Sequence, residues 1–232
     1  MKLPAKTLEK KLFIAGYRLI YAVDEVGMGC LAGPVVVCAV AFKKKFFNRR
    51  HKKLSWLRDS KLLLAKQREE YAEQLISDKN IKYQVSYVYP KTIDKLNVYQ
   101  ASREAMRRAI KKLYYGAGIK YYGKDFKNHN TKYIIHNTKN VVLVDGPYKI
   151  AGLEIDQIPV VKGDRKVFAI ACASIIAKVH RDKMMVRYAK KYPGYGFEKH
   201  KGYGTKLHLV RLNSLGSTPI HRQSFEPVAR LM

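Results

Sequence analysis

Residues 21–42, YAVDEVGMGCLAGPVVVCAVAF, constrain the fold more than any other stretch of the chain. An apolar run ends in two adjacent carboxylates, Asp24 and Glu25. Gly27-Met28-Gly29 follows, and a Val- and Ala-rich run begins at Val35. This periodicity predicts strand, glycine-rich turn, strand, with the acidic pair where the first strand gives way. Carboxylates in such a place are costly unless something cationic compensates them. The glycines leave backbone N–H groups open to a phosphate or hydroxyl. Acid beside bare backbone suggests a metal site that receives a phosphodiester.

The rest of the chain supplies a sheet and its cover. Strands are expected over 19–25, 35–42, 83–89, 141–144 and 158–161, the third with weak alternation. Asp59-Ser60 can cap a helix. Residues 92–113 read as helix with an apolar stripe of Val98, Ala101, Ala105, Ala109 and Leu113. A further helix is expected over 167–188, where Ser174, Lys178 and Arg181 share a polar stripe. The run 43–53, KKKFFNRRHKK, is too charged for core and reads as a loop, either a solvated tip or a nucleic-acid contact. Three parts are expected: a basic arm over 1–18, a catalytic domain over 19–188 with a surface insertion at about 114–140, and a helical extension over 189–232. The fold class is α/β, one sandwich with a carboxy-terminal helical extension.

Charge narrows the partner. Lys and Arg number 46 against 18 Asp and Glu, a formal net charge of +28. Such a surplus favours nucleic acid over an anionic membrane, with a generically basic composition as the alternative. No run is long enough to span a bilayer, and the first residues have no signal-peptide apolar core. Cys30, Cys38 and Cys172 lack metal-ligand spacing and read as buried thiols in a reducing compartment, so a cytoplasmic protein is expected.

Four acids stand where strands stop: Asp24, Glu25, Asp145 and Asp164. Ligands converge at strand ends in α/β sheets, and hard oxygen donors suit Mg²⁺ or Mn²⁺. Two such ions about 4 Å apart can clamp an in-line phosphodiester displacement. Taken singly, each acid also has an ordinary explanation as a turn residue, an N-cap or an exposed strand end. Neighbouring strand residues point to opposite faces, so Asp24 and Glu25 aim together only if the strand is ending. Otherwise Glu25 would serve through its carbonyl.

The blocks DEVGMGCLAGPVV, DSKLL, IDKLNVYQA, LVDG, KGD, ACASIIAKVHRD, YPGYGFEKHKGYGT and HRQSF, in that order, resemble the signature blocks of ribonuclease HII, the type 2 ribonucleases H. The resemblance covers roughly residues 22–225, leaving the amino-terminal arm and the 114–140 insertion outside. It implies a ribonuclease H-like fold, a mixed five-stranded sheet flanked by helices with a helical carboxy-terminal part. The implied activity is endonucleolytic cleavage of RNA in RNA–DNA hybrids and incision 5′ to ribonucleotides embedded in duplex DNA. The implied products carry a 3′-hydroxyl and a 5′-phosphate, and the implied protein is a monomer with no membrane partner. The family's metal-binding acids match Asp24, Glu25, Asp145 and Asp164, with two divalent cations, Mg²⁺ or Mn²⁺, as cofactors. Asp182 is a near neighbour by motif and is expected to be structural.

Substrate contacts carry over in the same way. Gly27-Met28-Gly29 corresponds to the family's Gly-Arg-Gly turn, which senses the 2′-hydroxyl with its backbone. Tyr203 corresponds to the tyrosine that packs on the sugar, and Lys61, Ser174 and Lys178 to positions near phosphates. The 2′-hydroxyl is what distinguishes RNA from DNA, and phosphate contacts set register without reading sequence. Met28 departs from the family's arginine and can neither donate a hydrogen bond nor carry charge. If that arginine fixes the turn, preference for a single ribonucleotide is weakened. Two alternatives therefore stay open: a hybrid-specific ribonuclease H with little junction preference, and a basic nucleic-acid-binding protein that does not cut. The carboxy-terminal PVARLM has no convincing clamp-binding motif.

Overall fold

A computed structural model of the chain describes residues 3–121 and 139–231. Five strands form one mixed sheet: β1 (Leu19–Val26), β2 (Val35–Lys43), β3 (Ile81–Val88), β4 (Asn140–Asp145) and β5 (Asp156–Val160). Their spatial order is β3-β2-β1-β4-β5. β2 runs antiparallel to both of its neighbours, β1 and β3, while β1, β4 and β5 are parallel. This puts the carboxyl ends of β1 and β4 side by side at the middle of the sheet. Nearly every residue of β1, β2 and β4 is buried, as strands covered on both faces must be.

Alternation along the strands divides the core in two. Ile20, Ala22, Val36, Cys38, Val141 and Leu143 face helix α7 (Phe168–Lys191) together with α1 (Thr7–Ile14) and α3 (Ala65–Ser77). Tyr21, Val23, Val35, Val37, Val142 and Val144 face helix α5 (Val98–Tyr121). The expected stripe of Ala101, Ala105, Ala109 and Leu113 forms the buried side of α5, with Val98 packed at its edge. All three cysteines are buried free thiols. Among the described residues, no helix is long and apolar enough to cross a membrane.

Several boundaries differ from the sequence reading. The single helix expected over 92–113 is two, α4 (Pro90–Leu96) and α5, broken at Asn97, whose φ is 63°. Asn tolerates the left-handed region, and its Oδ1 accepts from the Gln100 amide, so it caps the second helix. Asp59 caps a short 3-10 turn (Ser60–Leu62), and α3 starts after it, at Ala65. The insertion expected at 114–140 is narrower, because α5 continues to Tyr121 and Asn140 begins β4; the remainder lies outside the described residues. The amino-terminal segment forms α1, and its Leu12 and Phe13 join the larger core. In the 43–53 run, Phe46 and Phe47 are buried on a short helix, α2 (Lys44–Phe47), although the run had read as too charged for core. The lysines flanking them stay exposed, so local composition concealed a two-residue anchor.

The remaining helices are short, apart from α9: α6 (Gly163–Lys166), α8 (Phe197–His200), α9 (Lys206–Leu215) and α10 (Glu226–Ala229). Residues after α7 fold back over the 27–34 loop. Leu31 N and Ala32 N donate to Gly202 O, Gly33 N donates to Ile220 O, and Arg222 N donates to Leu31 O. Gly202 has φ +84°, and a Cβ there would lie 2.3 Å from the Ala32 carbonyl oxygen, so the crossing demands glycine.

Candidate active site

The β1–β4 ladder ends at the Val23–Val144 pair. One residue further along each strand come Asp24 and Asp145, both on the α7 side by the alternation of the strands. Glu25 belongs by the same alternation to the α5 side, yet with no β4 backbone bonded alongside it its carboxylate turns to the same point. Carboxylate oxygens of Asp24, Glu25 and Asp145 lie within 4.8 Å of one another. The Glu25 carboxylate thus reaches Asp24 and Asp145 despite the pleat. Asp164 reaches the same cleft from α6. The Gly163 amide donates to Asp145 Oδ1 at 2.7 Å, which ties the KGD segment to the end of β4. A Cβ at Gly163 would sit 2.5 Å from Ile170 Cδ1 and 3.0 Å from Asp145 Oδ1, so a larger residue would have to displace the Ile170 side chain.

Electrostatics show what the cluster can hold. Burial, followed by the Glu25 and Asp145 carboxylates, pushes Asp24 well above the usual carboxylate range, with a Ser174 hydrogen bond opposing. Glu25 is pushed up to about 7, again by burial and then Asp145, with Arg103 and Lys61 opposing. Asp164 is raised by burial and by Asp145 and Asp59. Glu25 Oε2 is buried without any hydrogen-bond partner. Buried, crowded and unpartnered carboxylates either hold protons or hold a cation. The donor set is all oxygen and fits a hard divalent ion.

Around the acids lies a cleft of about 570 Å³. Its wall includes Asp24, Glu25, Asp145 and Asp164, and every substrate-contact position named from the sequence: Gly27, Met28, Gly29, Lys61, Ser174, Lys178 and Tyr203. Ser174 Oγ lies 3.1 Å from Ser60 Oγ, linking α7 to the DSK turn. Lys178 Nζ pairs with Asp182 at 2.7 Å, and Arg68 holds the other oxygen of that carboxylate at 3.3 Å. Asp182 is therefore a brace for Lys178 at the cleft wall. Tyr203 is half-buried between Lys178 and Arg181, whose charges lie 5.6 and 5.7 Å from its ring centroid.

Two buried arginines shape the glycine turn, and sequence reasoning gave neither this role. Arg222 donates to Met28 O at 2.7 Å, to Gly27 O at 2.6 Å, and twice to Gly33 O. Arg181 donates to Pro34 O, Ala32 O and Lys201 O. Gly27 has φ +99°, and a Cβ there would meet Arg181 Nε at 2.3 Å. The turn is thus fixed through its Gly27 and Met28 carbonyls by Arg222, while Arg181 packs against Gly27 and holds the following loop. Among the described residues the Met28 and Gly29 amides have no protein partner. The Met28 side chain packs against the α5-side core.

Behind Tyr203 lie three buried histidines. His200 Nδ1 accepts from Gly202 N, His221 Nδ1 accepts from Thr218 N, and His208 Nδ1 faces Tyr203 O. These partners make His221 the donor in its 3.1 Å contact with His208 Nε2, so all three rings are neutral and mutually ordered. Burial lowers the pKa of all three, His208 and His221 to about 4. For Arg222, His200 and His221 the only sequence signal was membership of the HKGYGT and HRQSF blocks, and His208, outside both, had none.

A family profile described as Ribonuclease HII matches residues 22–228. Ribonuclease HII of Caldicellulosiruptor bescii is 43% identical over 218 residues, covering 94% of this chain and 91% of that protein. Ribonuclease HII of Acholeplasma laidlawii is 42% identical over 224 residues, covering 97% of this chain and 95% of that protein. Among solved structures, the ribonuclease H2 of Pyrococcus horikoshii OT3 superposes with a TM-score of 0.68 at 24% identity, covering 92% of this chain and 96% of that one. The RNase HII of Archaeoglobus fulgidus, solved as a complex with PCNA, gives 0.65 at 24% identity, covering 89% and 95%. At that identity the likeness is one of fold.

Proposed function

The chain belongs to the ribonuclease HII family and is a ribonuclease H acting on RNA–DNA hybrids, and from that premise we propose that it also incises duplex DNA on the 5′ side of embedded ribonucleotides. Cleavage leaves a 3′-hydroxyl and a 5′-phosphate. We assign Asp24, Glu25, Asp145 and Asp164 as ligands for two divalent cations, Mg²⁺ or Mn²⁺. When bound, such ions supply Lewis acidity to the attacking and leaving oxygens. The observation that carries the reading is the convergence of three carboxylates, one with an unpartnered buried oxygen, in a cleft walled by lysines.

The chain's own groups do the positioning. Met28 and Gly29 line the cleft and their amides have no protein partner among the described residues, so they are available to contact a 2′-hydroxyl. Tyr203 offers its ring to the adjoining sugar, and Lys61, Ser174 and Lys178 bind the phosphates on either side. Residues 189–232 contribute Lys199, Lys201 and Tyr203 to the same wall, so we assign that extension to substrate binding. Every group comes from one chain, and we take the protein to act as a monomer in the cytoplasm. Met28 bears on junction preference. Because Arg222 holds the turn by the Gly27 and Met28 carbonyls, a side chain at position 28 is not needed for its shape. That supports single-ribonucleotide recognition over the hybrid-only alternative.

The test pairs a DNA duplex holding one ribonucleotide with a duplex holding four, in Mg²⁺ or Mn²⁺. Cutting 5′ to the single ribonucleotide is expected. Cutting only the longer stretch would favour the hybrid-only reading, and binding without any cut would favour a non-cleaving protein.

A further inference from the structure

Between β2 and the DSK turn, residues 43–58 carry lysines and arginines with no acid among them. Lys44, Lys45, Arg49, Arg50, Lys52 and Lys53 are exposed, and none has an ion-pair partner among the described residues. The segment is nonetheless well anchored. Phe46, Phe47, Leu54 and Leu57 are buried, His51 stacks on Phe46 at 4.0 Å, and its Nε2 lies 2.8 Å from Phe46 O. A rigid base with uncompensated cations facing water is an arrangement that self-repels unless a polyanion covers it. At its end stands Trp56, 73% exposed and the only tryptophan in the chain. An indole left in water beside such a charge field has the composition of a nucleic-acid contact.

Covalent geometry places this surface near the cleft. Trp56 is five residues from Lys61, which lines the cleft, so the two are at most ~18 Å apart. That is about five base-pair steps of a duplex. Asp59 and Ser60, in between, are held by the Arg165 ion pair and the Ser174 contact, so the approach is fixed and not a swinging arm.

We propose that residues 44–56 form a docking platform for one arm of the substrate duplex, with the lysines and arginines on phosphates and Trp56 against the sugar backbone. This rests on the ribonuclease reading for the kind of substrate, and assigns a surface outside the cleft. The contacts are sequence-independent and set how the duplex lies. They predict that one duplex arm, within about five base pairs of the cut, matters more than the other.

Trp56 reports on itself, since no other tryptophan contributes emission. Wild-type protein in EDTA is titrated with a labelled RNA–DNA hybrid, following intrinsic emission and duplex anisotropy together. Emission is expected to change with the same midpoint as anisotropy. The fourfold variant R49Q/R50Q/K52Q/K53Q should lower the slope of log K against log salt by about 3.6, at ~0.9 per lost phosphate contact. In Mg²⁺ it should raise KM about tenfold or more, and raise KM more than it lowers kcat. Anisotropy that reports binding while Trp56 emission stays constant, with an unchanged salt slope in the variant, overturns the platform. Absence of any hybrid binding overturns it too. Binding with the Trp56 response but without cleavage in either metal keeps the platform and removes the activity reading.

Discussion

Replacing Asp145 with Asn tests the metal centre through stability as well as activity. Oxygens of Asp24, Glu25 and Asp145 lie within 4.8 Å of one another. At an effective dielectric of about 20, two unit charges at that separation repel by ~3.5 kcal/mol. Three ionised carboxylates without a cation would therefore carry about 10 kcal/mol. The cluster escapes most of this by keeping protons on Asp24 and Glu25, both raised by burial and then by carboxylate neighbours. Asn keeps an Oδ1 that can accept from Gly163 and removes the charge. In EDTA at pH 8, Asp145→Asn should be more stable than wild type by ~1–3 kcal/mol, roughly 2–10 °C in Tm. The folded pKa of Glu25, about 7, lies above its unfolded value of 4.5. Its stabilising contribution is thus present at acid pH and lost as pH rises through 7, so the advantage of the variant should shrink below pH 7. Adding Mn²⁺ should reverse the order, raising wild-type Tm far more than that of the variant. Hybrid cleavage should fall by about 10³-fold or more, several kcal/mol of barrier, with hybrid binding nearly intact. Scanning calorimetry in EDTA and in Mn²⁺ decides it. A variant that is no more stable in EDTA at pH 8, and that responds to Mn²⁺ as wild type does, refutes the reasoning.

Other perturbations separate the turn, the core and the histidines. Arg222→Lys keeps the charge but loses the planar fork that holds Gly27, Met28 and Gly33 carbonyls, and should cost ~2–4 kcal/mol in urea unfolding. It should also reduce single-ribonucleotide cutting more than cutting of a four-ribonucleotide stretch; equal losses would mean that the turn does not read the junction. Glu9 is buried with Oε1 on the Ala169 amide and Oε2 unpartnered, and burial raises its pKa to about 7. Its contribution is present below the unfolded value of 4.5 and lost as pH rises through 7. Glu9→Gln should therefore improve relative to wild type by on the order of 2 kcal/mol between pH 5 and pH 9, read by chemical denaturation. His208 and His221, lowered by burial to about 4, stabilise the fold fully above 6.5 and progressively less as pH falls toward 4. Their imidazole NMR signals should not titrate above pH 5, and a midpoint near 6.5 for either would contradict the neutral network.

Much of the site was legible because its signals are local. Asp24, Glu25, Asp145 and Asp164 each stand where an apolar run stops, and the order of the eight blocks placed them in one family. The stripe of Ala101, Ala105, Ala109 and Leu113 announced the buried side of α5 by its spacing alone. Phe46 and Phe47 were missed for the converse reason: two anchoring rings amid lysines do not change the local average. The break at Asn97 was hidden inside a helical pattern, since one residue with φ 63° and a capping side chain leaves periodicity on either side intact.

Sequence by itself determined the strands, the acidic strand ends and the cationic surplus, because all of these follow from residue type and short-range period. Only the tertiary structure decided that Glu25 joins Asp24 despite the pleat, since that depends on where the β1–β4 ladder ends. It also decided that Arg222, 194 residues from Met28, shapes the turn whose own side chain departs from the family. A buried guanidinium finds its carbonyls through the fold, and no spacing rule connects positions so far apart along the chain.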